Sequence, residues 1–228
     1  MKITCILTSF NRPSWVRQAI ASVAEQTHKD YELLVMDEST TFDVHKAVEE
    51  FRLPSVRVFH FDVDPKERAK VNRLSVNINE GLRVAAGDLV CYLADDDFYF
   101  PGWFAAASGF FETHPAISAA FGKLTYTRSK DREYPKDGKV VFFKDIISDP
   151  YCRLDHNQII HRRFSPPILW PEEPSTISAP DGLFMRRVGK THPFHPVDAW
   201  SSVKRMHDKN LQRAVHVYRS GTMDGTRE

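Results

Sequence analysis

Five apolar residues, Leu89 to Leu93, lead through Ala94 into three consecutive carboxylates, Asp95, Asp96 and Asp97. An apolar run of that length reads as a strand buried on both faces. Adjacent negative charges repel one another, so a fold tolerates them best beside a cation. Oxygen ligands at the mouth of a strand suit a hard divalent ion, Mg²⁺ or Mn²⁺, of the kind that also holds a substrate phosphate. Open α/β sheets bind their ligands at the carboxyl ends of strands. A solvated acidic turn ahead of a helix would use the same residues; the apolar strand in front tips the reading toward a metal site.

Earlier stretches repeat this arrangement. Lys2 to Thr8, Tyr31 to Met36 and Val56 to Phe61 have strand character and each ends in polar or acidic residues, Ser9 and Asn11, Asp37 and Glu38, Asp62 and Asp64. Between them the spacing of Trp15, Ala19, Ile20 and Val23 predicts a helix with Ser14 as its N-cap. A second helix is expected over Asp43 to Phe51. A long third one is expected over Lys66 to Ala86, with Leu74, Ile78 and Leu82 as its core stripe, Arg68 and Arg73 on its surface, and Gly87 as its stop. Pro101 to Glu112 opens a fourth, aromatic-rich helix. Strands alternating with helices in this way predict an α/β fold, a mainly parallel sheet with helices on both faces and right-handed crossovers.

Beyond about residue 115 the pattern loosens. Ile117 to Thr127 and Val140 to Phe143 read as strands, separated by an exposed hairpin or loop over Arg128 to Lys139. Ser165 to Pro180 is a proline-rich loop, Asp181 to Val188 a short helix, and Ala199 to Glu228 a weakly patterned tail with a mobile end.

With 228 residues, 42% of them hydrophobic and 27% charged, the chain can bury a substantial core and is expected to form one large domain. A formal net charge of +1 gives no argument for a nucleic-acid partner. Of the three cysteines, Cys5 and Cys91 lie in apolar strand-like runs, where a thiol is a small buried hydrophobe; this suggests reduced core residues and a cytoplasmic location. The amino-terminal stretch is too short and too soon polar for a signal peptide, and no apolar run approaches the ~20 residues of a membrane span. A peripheral membrane contact stays compatible with this composition.

Taken in order, Ile6-Leu7-Thr8-Ser9-Phe10-Asn11-Arg12-Pro13, Leu33-Leu34-Val35-Met36-Asp37-Glu38-Ser39 and Ala85-Ala86-Gly87 running on to Asp97 resemble the GT-A glycosyltransferases of the large family 2 type. The likeness is strongest to the spore-coat polysaccharide biosynthesis glycosyltransferase group. There Pro65 to Arg68, Leu154 to Arg162, and Asp181 with its apolar helix also find counterparts, so the resemblance covers roughly residues 1 to 200. It implies a Rossmann-like GT-A domain with a nucleotide-binding half over 1–114, an acceptor-binding half with a smaller subsheet over 115–198, and a tail over 199–228.

The resemblance also implies chemistry. A nucleoside diphosphate sugar, usually UDP-linked and with dTDP fitting the same edge contact, is the expected donor. Thr8, Ser9 and Asn11 are expected beneath the nucleotide, Asp37 or Glu38 at the base edge, and Arg68 and Arg73 at the base or phosphates. Asp95 is expected at the ribose. Asp96 or Asp97 is expected at Mn²⁺ or Mg²⁺, with His207 resembling a late histidine that serves as an extra ligand. Asp155, His156 and His161 match positions lining the acceptor pocket, and Asp181 matches the general base. One base opposite one leaving group implies direct displacement with inversion, transferring a sugar to a hydroxyl acceptor. A nucleotide-sugar-binding protein without turnover remains the alternative of a different class. A nucleotidyltransferase is disfavoured because Thr8 to Pro13 contains no glycine.

Overall fold

The computed structural model describes residues 1–135 and 139–207. Strand β1 (Ile3–Ser9), helix α1 (Pro13–Ala24), strand β2 (Tyr31–Asp37), helix α2 (Val44–Glu49) and strand β3 (Val56–His60) come first. Helix α3 (Arg73–Val84), strand β4 (Leu89–Ala94), the short β5 (Phe98–Tyr99) and helix α4 (Trp103–Thr113) follow. The later described elements are β6 (Ala119–Thr127), β7 (Val140–Val141), β8 (Ile159–Arg162), α5 (Pro180–Gly189) and β9 (Phe194–Arg205).

β1 lies between β2 and β4, parallel to both, and β3 lies parallel outside β2. Alternate residues of a strand point to opposite faces, so each of these strands feeds two cores. Ile3, Cys5 and Leu7 join Leu33, Cys91 and Leu93 against Val16 and Ile20 of α1, Ala47 of α2 and Phe104 of α4. Ile6, Leu34, Val90 and Tyr92 meet Ile78 and Leu82 of α3 and Phe184 and Met185 of α5 on the other face. Full burial of each large apolar side chain contributes roughly 1.5–3 kcal/mol, so both helix layers are held mainly by this alternation.

Past β4 the sheet changes direction. β8 runs antiparallel to β4, β6 antiparallel to β8, β9 parallel to β6, and β5 antiparallel to β9. The path is β3-β2-β1-β4-β8-β6-β9-β5, with β7 against β6. The strands expected to form a smaller subsheet therefore continue the parallel sheet without a break. None of the described helices is long and apolar enough to cross a membrane.

Several boundaries depart from the sequence expectation, each for a tertiary reason. The helix expected over 66–86 is divided: a 3-10 turn covers Arg68–Lys70, Val71 is extended, and α3 starts at Arg73 with Asn72 as its cap. Asn72 gives its own N–H to the Glu172 carbonyl at 2.7 Å, a bond to a distant loop that an unbroken helix could not make. Gly87 is not the stop of α3, which ends at Val84. It is instead a close-approach residue, since a Cβ there would sit 2.6 Å from the Thr4 backbone nitrogen. Ser14 is not the cap of α1, because Pro13 takes the first turn and Arg12 the cap position, without a side-chain capping bond. Residues 199–205, expected in a weakly patterned tail, form the second half of β9. Its buried Ser201, Ser202 and Arg205 hide the hydrophobic alternation that would have announced a strand. The expected mobile end over 220–228 falls outside the described residues. Cys5 and Cys91 are buried free thiols as expected, while Cys152 is exposed.

Candidate active site

The carboxyl ends of β1, β2 and β4 open onto a cavity of about 570 Å³. Thr8, Ser9, Glu38, Arg68 and Arg73 line one part of it, with Asp95, Asp96 and Asp97 beside them. His156 and Asp181, from the later half of the chain, line the same space. Parallel register explains the convergence of the first group: Ser9 pairs with Asp37 and Thr8 with Ala94, so the residues just past each strand end emerge side by side.

Glu38, only 2% exposed, is gripped by two arginines. Arg73 Nε donates to its Oε1 at 2.7 Å, and Arg68 Nη2 lies 2.8 Å from its Oε2. Two guanidinium groups on one carboxylate leave a local surplus of positive charge, which suits an anionic ligand. Arg68 also stacks on the ring of Phe10, 3.9 Å from its centroid, and Phe10 is 42% exposed at the cavity edge.

The acidic triplet is divided by its partners. Asp95 accepts the Phe10 N–H at 2.8 Å and an Arg12 N–H at 2.7 Å. Burial and the neighbouring charge of Asp96 push its pKa up to about 6, against the pull of Arg12. Asp96 accepts from Arg12 and meets His207 Nε2, each at 2.9 Å. Burial disfavours the Asp96 charge, but the His207 bond and Arg12 outweigh it and hold the pKa below the ordinary range. Asp97 turns inward, taking the Arg205 backbone N–H on one oxygen and the Asn157 amide on the other, both at 2.7 Å. Burial and Asp96 raise its pKa well above the ordinary range. Asp96 and His207 thus come together as carboxylate and imidazole, a donor pair that suits Mn²⁺ better than Mg²⁺. Asp97, with both oxygens held by protein donors, is less suited to ligation. The ring of Trp15 packs on His207 with centroids 4.3 Å apart.

At the other end of the cavity, Asp155 pairs with the ammonium of Lys204 and caps the turn that begins at His156. Burial works against the Asp155 charge, yet Lys204 and His156 hold its pKa well below the ordinary range. Asp181 sits in the first turn of α5 behind Pro180. One of its oxygens accepts the Gly182 N–H at 2.8 Å, and the other lies 3.7 Å from His156 Nδ1. Asp155, His156 and Asp181 bring one ligand atom each within 4.8 Å of one another, close enough to share an ion. The Lys204 ammonium on Asp155 repels a second cation from that position.

Other expected residues lie off the cavity. Asn11, at a positive φ of 53°, accepts the N–H groups of Thr40 and Thr41 and pins their turn. Asp37 faces the opposite side of β2, bonded to Ser39 Oγ at 2.7 Å and His60 Nδ1 at 2.9 Å. His161 is a core residue, bonded to Tyr92 and stacked on Phe164, and does not line the cavity. Asp155 acts on the cavity through Lys204 and His156, both of which line it. Three charged or aromatic cavity residues were not among the expected site residues: Phe10, Arg12 and Lys204. The signal for Arg12 was its place immediately before the helix-starting Pro13, where a capping side chain was absent. Lys204 lay within the strand that its polar neighbours concealed.

Residues 4–166 match the family described as Glycosyl transferase family 2. The protein CgeD of Bacillus subtilis is 26% identical over 238 residues, which covers 99% of this chain and 55% of the relative. A GalNAc(5)-diNAcBac-PP-undecaprenol beta-1,3-glucosyltransferase of Campylobacter jejuni is 30% identical over 102 residues, 44% of this chain and 31% of the relative. This chain therefore spans about half the length of CgeD or less of the other relative. Among solved structures, S. aureus TarS 1-349 in complex with UDP-GlcNAc superposes with a TM-score of 0.72 at 19% identity, over 93% of this chain and 60% of that one. The mannosyltransferase PcManGT of Pyrobaculum calidifontis, in complex with GDP-Man and Mn²⁺, gives 0.62 at 15% identity over 99% and 65%. Both share the fold. From the order of its strands, the residues gathered at their ends and the match over most of its length, this chain belongs to glycosyl transferase family 2.

Proposed function

We propose that the chain transfers a sugar from a nucleoside diphosphate sugar to a hydroxyl acceptor, with inversion and with Mn²⁺ or Mg²⁺ bound. One observation carries the reading: Glu38, Arg68, Arg73, Asp95, Asp96 and Asp181 face a single cavity. The related TarS fold holding UDP-GlcNAc supports a UDP-linked donor, and PcManGT holding Mn²⁺ supports a metal. A dTDP-linked donor would use the same contacts. The acceptor class is a carbohydrate or other alcohol.

In this reading Thr8 and Ser9 lie beneath the nucleotide, with Phe10 offering a ring face to the base. Glu38 accepts from the base edge through lone pairs its arginines leave open, while Arg68 and Arg73 draw in the diphosphate. Asp37 and Asn11 contribute from behind, by fixing the turns that carry Glu38 and Arg12. Asp95 receives the ribose, and Asp96 with His207 holds the ion. When bound, that ion neutralises charge building on the leaving diphosphate. Asp181 accepts the proton of the acceptor hydroxyl as its oxygen attacks the anomeric carbon. The bond from that carbon to the diphosphate breaks, and its electron pair leaves with the nucleotide.

Calorimetry and donor hydrolysis test this together. UDP binding is expected to require Mn²⁺ and to be lost in Asp96→Ala. Hydrolysis across a panel of nucleotide sugars, followed by mass, is expected to vanish in Asp181→Asn while UDP binding survives. A first-formed product of retained configuration by NMR removes Asp181 from its role. Tight UDP binding with no turnover of any donor selects a binding protein instead.

A further inference from the structure

The acceptor end of the cavity holds a histidine wedged between carboxylates. His156 Nδ1 lies 3.6 Å from Asp155 Oδ1 and 3.7 Å from Asp181 Oδ2, with the His156 side chain 12% exposed and that of Asp181 14%. Its other ring nitrogen, Nε2, is buried with no hydrogen-bond partner among the described residues. The ring stands edge-to-face against Trp170, with centroids 6.0 Å apart. In such a setting the nitrogen that faces the carboxylates carries the proton, because a donor there meets acceptors while one at Nε2 meets none.

The two carboxylates are not equivalent. Asp155 is already neutralised by Lys204 and engaged in capping its own turn through the Asn157 N–H at 3.0 Å. Asp181 has one oxygen on the Gly182 N–H and turns the other toward His156. Asp155 from the cap, Asp181 from α5 and Lys204 from β9 are the charged groups that act on the imidazole. Burial opposes its charge, Asp155 and Asp181 favour it, Lys204 opposes it, and the balance puts its pKa above the ordinary histidine value.

We propose that His156 is a positioning residue for Asp181: its Nδ1 faces, at 3.7 Å, the carboxylate oxygen that Gly182 leaves open, and fixes that group's orientation toward the acceptor. A neighbouring imidazole at that distance orients a carboxylate electrostatically. His156 itself neither gains nor loses a proton in the transfer; the acceptor proton goes to Asp181, and the breaking glycosyl bond gives its electrons to the diphosphate. The inference rests on Asp181 being the base. It adds that the base is kept competent by a neighbour from a different element, joined to it through space rather than along the chain.

The test is hydrolysis of UDP-GlcNAc, or of whichever nucleotide sugar the panel shows to be turned over, with water as acceptor. It is followed across pH for the wild type, His156→Phe, His156→Gln and Asp181→Asn, with UDP and Mn²⁺ calorimetry as the control. His156→Phe is expected to lower kcat by about tenfold or more, as misorientation of a reacting group does. It is also expected to move the acid limb of the profile, because the His156 imidazole no longer acts beside the reacting carboxylate. His156→Gln, whose amide can still donate, is expected to recover part of both effects, with UDP affinity unchanged in each. A wild-type kcat and acid limb in His156→Phe, while Asp181→Asn is inactive, overturns the proposal alone. So does a lowered melting temperature in both variants with the limb unmoved, which marks a purely structural wedge. Should the phenylalanine variant fail to fold, the position of the glutamine variant's limb decides. Wild-type kcat in Asp181→Asn is a separate result: it removes the base assignment, and this inference with it.

Discussion

The two ends of the cavity are built by different means. At the donor end, Thr8, Glu38 and Asp95 emerge from adjacent parallel strands whose register brings them side by side. At the end assigned above to the acceptor, a one-turn helix, the start of α5 and the last described strand are joined by groups distant in sequence, Lys204 on Asp155, Asn157 and the Arg205 N–H on Asp97, and His156 near Asp181. Both ends pair the charges they bury, but the strand register alone places the carboxylates of the donor end, whereas those of the acceptor end are brought together by contacts between separate elements. Arg68 and Arg73 are partly exposed, at 26% and 21%, and can adjust to a ligand. Lys204, at 13%, is committed to its carboxylate.

The contrast can be broken first at the acceptor end. Asp181→Asn is expected to lower turnover by a factor on the order of 10²–10⁴, the usual worth of a positioned base, with UDP affinity intact by calorimetry. Equal loss of binding and turnover would mean that the two ends are not separable. Next comes the sheet itself. Gly87→Ala would force a Cβ to within 2.6 Å of the Thr4 nitrogen where β4 enters beside β1. An overpacking cost of about 1–3 kcal/mol is expected in chemical denaturation, with the donor end weakened although Gly87 lies far from it. Glu38→Ala, which leaves Arg68 and Arg73 without their shared anchor, is expected to weaken UDP binding by about tenfold, or about 1.4 kcal/mol. An unchanged affinity would mean that the arginines hold their places unaided.

The gentlest effect is one of pH. Burial pushes the pKa of His161 down to about 4, below the ~6.5 of an exposed histidine. Between those values the unfolded chain binds a proton that the folded chain does not. The His161 contribution to stability is therefore whole above the unfolded pKa and is lost as pH falls toward the folded one, with a slope of at most about 1.4 kcal/mol per pH unit. Melting temperatures at pH 7 and pH 5 are expected to separate more in the wild type than in His161→Gln. An equal separation would place the pH sensitivity elsewhere.

Legibility in the sequence follows the same division. The parallel half was readable because each buried strand is a short apolar run ended by polar residues, so a one-dimensional pattern carries a three-dimensional rim. Glu38 was placed on that rim by this pattern, while Arg68 and Arg73, on the segment after β3, were placed beside it by the family resemblance. The reading failed where a distant contact overrode a local preference. Asn72 ends what would have been one helix because Glu172 accepts its N–H, and residues 199–205 join the sheet despite two buried serines and an arginine. Asp37 shows the limit of alternation, since neighbouring residues at a strand end face opposite ways and only Glu38 faces the cavity. His161 was misplaced because a resemblance fixes position along the chain and says nothing about which side of a strand a ring occupies.

β9 inserts between β6 and β5, and its Arg205 supplies a backbone N–H to Asp97 and a guanidinium to the carbonyl of Asp96. During synthesis the acidic rim would leave the ribosome about a hundred residues ahead of the segment that braces it. A nascent chain could assemble its first parallel strands and both helix layers around them and still lack a working centre, since these latest contacts are also among those of greatest sequence separation. The acidic rim is therefore braced only after β9 has joined the sheet.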